Sequence, residues 1–244
     1  AIDTISFTGH YNSLAIGVDG LGLISYFEAA EGDLRVAHCE NTACMSATVT
    51  WLDRLGTVGQ YTSLAIGADG LGLISYIDST NYALKVAHCS NVACTNATIT
   101  TLDPNGVSGA DTVLAIGSDG LGLIAYTGAE GLRVAHCNNA DCTSAMISTP
   151  GGHPADLALS IGADGLGLIA YRGDGDNLQV AHCSDLECTS AVTATLGGVV
   201  RQLALTIGAD DLPLISYFEF GSNAFDLGVV HCSNVFCLPH VRRR

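Results

Sequence analysis

The chain has 244 residues, 48% hydrophobic and 14% charged, with nine basic against twenty-four acidic side chains and a formal net charge of −15. That balance excludes nucleic acid and anionic membrane surfaces as partners, since both demand a positive patch. No apolar run approaches membrane-spanning length, so the chain is read as not membrane-spanning.

In chain order, Asp3-Thr4-Ile5-Ser6-Phe7 reads as a strand, followed by a loop that holds His10. A unit then recurs five times, near 13–62, 63–112, 113–157, 158–203 and 204–244, marked by Ile16-Gly17, Ile66-Gly67, Ile116-Gly117, Ile161-Gly162 and Ile207-Gly208. In the second unit Leu64 to Ile66 forms a first strand, Asp69-Gly70 a tight turn, Leu71 to Tyr76 a second strand, Leu84 to Cys89 a third and Ala97 to Leu102 a fourth. Asp-Gly between two apolar runs is a hairpin signal, because glycine accepts positive φ and aspartate bonds its own backbone. Both faces of the second strand are apolar, as a sheet packed between two other sheets requires. Units of this size built from short strands specify a single all-β domain, a five-bladed β-propeller of four-stranded antiparallel blades. The fourth strand missing after the last unit is supplied by residues 1–12, which closes the ring.

Ten cysteines fall in five pairs of equal spacing, Cys39/Cys44, Cys89/Cys94, Cys137/Cys142, Cys183/Cys188 and Cys232/Cys237. Each pair lies where the third strand turns into the fourth, which predicts one hairpin disulfide per blade and a secreted, extracellular or periplasmic habitat.

A histidine precedes each first cysteine: His38, His88, His136, His182 and His231. Neighbouring residues of a strand point to opposite faces, so such a histidine and its cysteine cannot share a metal ion. The turn residues Asp19, Asp69, Asp119, Asp164 and Asp210 are instead the expected acceptors for these rings, in a structural role. One carboxylate per turn is too few for calcium, which takes six or more oxygens. No cofactor motif is present.

Catalysis by a propeller needs carboxylates on the innermost strands, and those read Leu-Ala-Ile, Leu-Ser-Ile or Leu-Thr-Ile. Asp111 and Asp156 precede two of them, as catalytic candidates or as solvated loop residues. The loops that vary between units share one face, around the channel mouth.

The repeat resembles a group of secreted bacterial β-propeller proteins through Leu23-Ile24-Ser25-Tyr26, Leu34-Arg35-Val36-Ala37-His38-Cys39 and their copies. That resemblance implies a repeat class and no activity. The resulting expectation is a non-catalytic extracellular module that binds a protein partner or glycan on the variable face, as a subunit of a larger surface assembly. A lectin and a hydrolase with channel carboxylates are the alternatives.

Overall fold

The computed structural model describes residues 2–3, 8–220 and 225–238. It is an all-β five-bladed propeller. Blade one comprises β1 (His10–Ile16), β2 (Gly22–Glu28), β3 (Asp33–Cys39) and β4 (Ala47–Asp53), and blade two β5 (Val58–Ile66), β6 (Gly72–Asp78), β7 (Ala83–Cys89) and β8 (Ala97–Asp103). Blade three contains β9 (Val107–Ile116), β10 (Gly122–Gly128), β11 (Gly131–Cys137) and β12 (Ala145–Ser148). Blade four contains β13 (Ala155–Ile161), β14 (Gly167–Arg172), β15 (Leu178–Cys183) and β16 (Ala191–Gly197), with a 3₁₀ turn at Asp174–Asp176. In blade five the described strands are β17 (Val200–Ile207), β18 (Pro213–Phe220) and β19 (Phe225–His231). Each sheet pairs its strands in sequence order, and β1, β5, β9, β13 and β17 lie side by side in succession as the innermost strands.

The blades lock through one repeated contact. A Cβ on Gly72 would lie 2.8 Å from Leu23 Cδ2 of blade one, and Gly122 and Gly167 stand in the same relation to Leu73 and Leu123. Only glycine leaves room for the neighbouring leucine, which is why this step of the second strand carries no side chain. Leu23, Leu73 and Leu123 are wholly buried in consequence.

A charged lock follows the same geometry. The Tyr26 hydroxyl and the Arg35 guanidinium both donate to Asp3, the Tyr76 hydroxyl and the Lys85 ammonium to Asp53, and the Tyr126 hydroxyl and the Arg133 guanidinium to Asp103. The phenols are therefore interior, and burial together with the facing carboxylate pushes the hydroxyls of Tyr26, Tyr76 and Tyr126 well above the usual tyrosine range. In blade four the aligned positions are Gly151 and Gln179, and in blade five Gly197 and Gly228, so cation and carboxylate disappear together. A buried charge left without its partner costs several kcal/mol, about 3 to 5, which explains the joint loss.

Five hairpin disulfides join Cys39–Cys44, Cys89–Cys94, Cys137–Cys142, Cys183–Cys188 and Cys232–Cys237. Among the described residues, the sides of blades one and five that meet where the ring closes are more exposed than their counterparts elsewhere. The atoms nearest a Cβ on Gly22 belong to Cys39 and Leu14 of its own blade. Leu14 is 61% exposed where Leu64 is 6% exposed, and Leu227 is 78% exposed where Leu34, Leu84 and Leu132 are fully buried. The expected closing strand falls largely on residues 4–7, outside the described residues, as do the three terminal arginines. Among the described residues no helix is long and apolar enough to cross a membrane.

Candidate active site

Each innermost strand pairs regularly with its neighbour near the Ile-Gly step and slips register toward its start. The slip lies between His10 and Ser13 in β1, Gln60 and Ser63 in β5, Ala155 and Leu157 in β13, and Arg201 and Ala204 in β17, while in β9 it falls opposite Tyr126 and Gly128. One residue in each slip has left-handed backbone: Tyr11 (φ 50°), Tyr61 (φ 53°), Asp111 (φ 73°), Asp156 (φ 52°) and Gln202 (φ 52°). All five stand five residues before the isoleucine of the Ile-Gly step. A side chain in this region costs about 1 to 3 kcal/mol unless its surroundings enforce it, and a bulge re-aims the side chain it carries. The fold maintains that cost five times at one end of the innermost strands.

The five residues are chemically unlike. The Tyr11 and Tyr61 rings lie 4.2 Å apart at 38°. Burial first, then the hydrogen bond and charge of Tyr11 and the charge of Asp111, pushes the Tyr61 hydroxyl up to about 12. Burial also raises the Asp111 carboxyl, as does the charge of Asp156, against the backbone N–H groups of Leu157 and Asp156. The Leu157 N–H donates to Asp111 Oδ2 at 3.4 Å. Asp156 instead accepts from Arg172 Nε at 2.7 Å, and Arg172 Nη1 donates to Asp176 at 2.6 Å. Two neighbouring carboxyl groups thus differ in setting: Asp111 is desolvated and tends to keep its proton, while Asp156 is ion-paired. Such a split separates a proton donor from an anion.

Asp111 and Asp156 are therefore half-buried members of β9 and β13, and the reading of them as solvated loop residues is corrected. The two carboxylates lie outside the Leu-Ala-Ile segments because β9 and β13 begin earlier than those segments. Sequence reasoning named that pair but not Tyr11, Tyr61, Gln202 or Arg172 as site residues. The column five residues before each Ile-Gly step, which reads Tyr, Tyr, Asp, Asp, Gln, exposes all five left-handed residues at once.

At the opposite strand ends, Nε2 of His38, His88, His136, His182 and His231 lies 2.8 to 2.9 Å from Asp19, Asp69, Asp119, Asp164 and Asp210. The Leu21 N–H, and after it His38, hold the Asp19 carboxyl below the usual range despite the opposing effect of desolvation. One further carboxylate joins this set: Asp69, His88 and Asp141 present ligand atoms within 4.8 Å of one another.

No family model matches the chain, and no curated protein matches it. Solved structures do. A protein of unknown function from Dyadobacter fermentans is 10% identical, with 98% of this chain and 84% of that one covered at a TM-score of 0.68. An α-L-arabinanase from Penicillium chrysogenum, complexed with arabinobiose, is 12% identical, with 89% of this chain and 79% of that one covered at 0.61. A GH43 β-1,3-galactosidase with galactodeoxynojirimycin is 10% identical, with 92% of this chain and 90% of that one covered at 0.55. At such identities the likeness is one of fold.

The expectation of a non-catalytic protein-binding or lectin-like module is corrected. The similar propellers include several glycosidases, and the chain gathers carboxylate and histidine side chains in the Asp69–His88–Asp141 cluster. The left-handed positions add two further carboxyl groups, Asp111 and Asp156, at the other end of the innermost strands.

Proposed function

We propose that the protein is a glycan-cleaving hydrolase whose catalytic carboxyl groups are Asp111 and Asp156. The observation that carries this reading is the contrast between the two: one is buried and disposed to hold a proton, the other is paired with Arg172. The fold likeness to glycosidases supports it but does not assign it, because one fold hosts many chemistries.

In the reaction, Asp111 gives its proton to the glycosidic oxygen as the bond to the anomeric carbon breaks. Asp156 faces the positive charge that develops on the sugar and takes a proton from the attacking water, whose hydroxyl completes the product. Arg172 fixes the Asp156 carboxylate in place. The Tyr11–Tyr61 pair offers an aromatic surface for the apolar face of a sugar, and Gln202 a donor and acceptor for its hydroxyls.

We place this activity outside the cytoplasm, since five structural disulfides suit an oxidising compartment and the repeat resembles that of secreted bacterial propellers.

The test is release of reducing ends from a panel of arabinan, galactan and other neutral oligosaccharides. Hydrolysis that Asp111→Asn and Asp156→Asn each abolish, with the variants still folded, supports the proposal. Activity that survives both substitutions, or no turnover across the panel, sinks it.

A further inference from the structure

His88 lies between carboxylates from two blades. Its Nε2 is 2.8 Å from Asp69 Oδ2, and the other oxygen of Asp69 accepts the Leu71 N–H at 3.0 Å. With Nε2 engaged by Asp69, the second ring nitrogen, Nδ1, is turned toward the neighbouring blade. Facing Nδ1 at 3.5 Å is Asp141 Oδ1, carried by the disulfide hairpin of blade three. Both are metal-ligand atoms, and with Asp69 they form a group of three within 4.8 Å of one another.

The spacing of these atoms suits a cation between them. Ligands about 2.0 to 2.1 Å from a zinc-sized ion and 3.5 Å from each other subtend an angle of about 115° to 120°, close to tetrahedral. Histidines that bind metal characteristically donate their other ring N–H to a carboxylate, which is the part Asp69 plays here. The entry is open: the Asp141 side chain is 62% exposed, while that of His88 is 8% exposed and held in place.

Among the described residues, only this seam brings a third ligand-type side chain to the His–Asp pair. The residue before the second cysteine is Ala93 in blade two, Glu187 in blade four and Phe236 in blade five. Phe236 covers His182 of the preceding blade with its ring, the centroids 4.7 Å apart.

We propose that the seam between blades two and three binds one divalent transition-metal ion of the zinc class. His88 Nδ1 and Asp141 are its protein ligands, Asp69 orients the ring, and water completes the coordination. Imidazole favours such an ion over calcium or magnesium. This site is separate from the proposed hydrolytic one: Tyr61 and Asp69 lie at opposite ends of the innermost strand, at least about 15 Å apart by strand rise.

The experiment is titration of the metal-stripped protein with zinc chloride against a chromophoric zinc chelator, with calcium and magnesium chloride as comparisons. Histidine ring resonances are followed in parallel by NMR. The expected result is one zinc per chain, a His88 Nδ1 shift on binding, and affinity at least tenfold weaker in Asp141→Ala with Glu187→Gln unchanged. Asp141 is exposed, so its replacement leaves the fold intact. Zinc binding equal in Asp141→Ala and the parent, preference for calcium, or a His88 ring that responds to protons alone would overturn the proposal.

Discussion

Asp53 is the clearest place to test how the blades are held together. The carboxylate is 3% exposed and accepts the hydroxyl of Tyr76 at 2.8 Å and the ammonium of Lys85, both from the next blade. Asp53→Ala leaves the Lys85 charge 7% exposed, with Asp78 at 4.0 Å as its remaining counterion, and leaves a buried hydroxyl without its acceptor. Breaking a buried pair costs about 3 to 5 kcal/mol, and the residual attraction of Asp78 places this case near the lower end, at about 3. For a chain of this size that loss lowers the melting temperature by about 6 to 12 °C. Adding Lys85→Gln, the residue blade four uses at Gln179, removes the stranded charge and restores at least half the loss. Urea denaturation of parent, both single variants and the double variant measures the coupling directly. A cost below about 1 kcal/mol for Asp53→Ala, or a double variant no more stable than that single one, would refute the argument that charge and countercharge are kept or lost together.

Asp111→Asn should lower hydrolysis by about 100-fold to 10,000-fold, as removal of a proton donor does, measured as initial rates. It should also stabilise the protein at neutral pH. The folded-state pKa of Asp111 is raised, so its contribution to stability is complete below the ordinary carboxylate range and lost as pH rises through the folded value. Denaturation of parent and variant across pH must therefore show an advantage for the variant that grows with pH; a constant difference contradicts the burial argument. Gly122→Ala places a methyl 2.7 Å from Leu73 Cδ2 and 2.9 Å from Cys137 Sγ, and should cost about 1 to 3 kcal/mol. Gly22→Ala, which meets only its own blade, should cost less in the same thermal melts. Removing one disulfide by Cys89→Ala with Cys94→Ala should cost about 2 kcal/mol, given the short loop it closes, and leave the strands intact by circular dichroism.

Much of the fold was legible because its rules repeat. The Asp-Gly turns, the cysteine spacing and the two-faced apolar strands each state one local preference five times, and a preference stated five times leaves little room for another architecture. The site obeys the opposite logic. Its position is constant but its residues are not, so the eye drawn to what recurs passes over Tyr11, Tyr61 and Gln202. Left-handed backbone at a tyrosine leaves no signature in composition, and the Asp111–Asp156 contrast depends on burial and on Arg172 from β14, neither of which periodicity reports. Asp141 is hidden for a related reason: it meets His88 only because consecutive blades pack, and the hairpin that bears it looks like its four counterparts.

The left-handed step near the start of each innermost strand separates scaffold from chemistry. Every spoke of the wheel holds out one side chain on an identical bracket, and nothing else in the spoke needs to know which one it is. Five sockets, each free to accept a different amino acid, let new specificities arise by single substitutions while the hub that carries them stays the same.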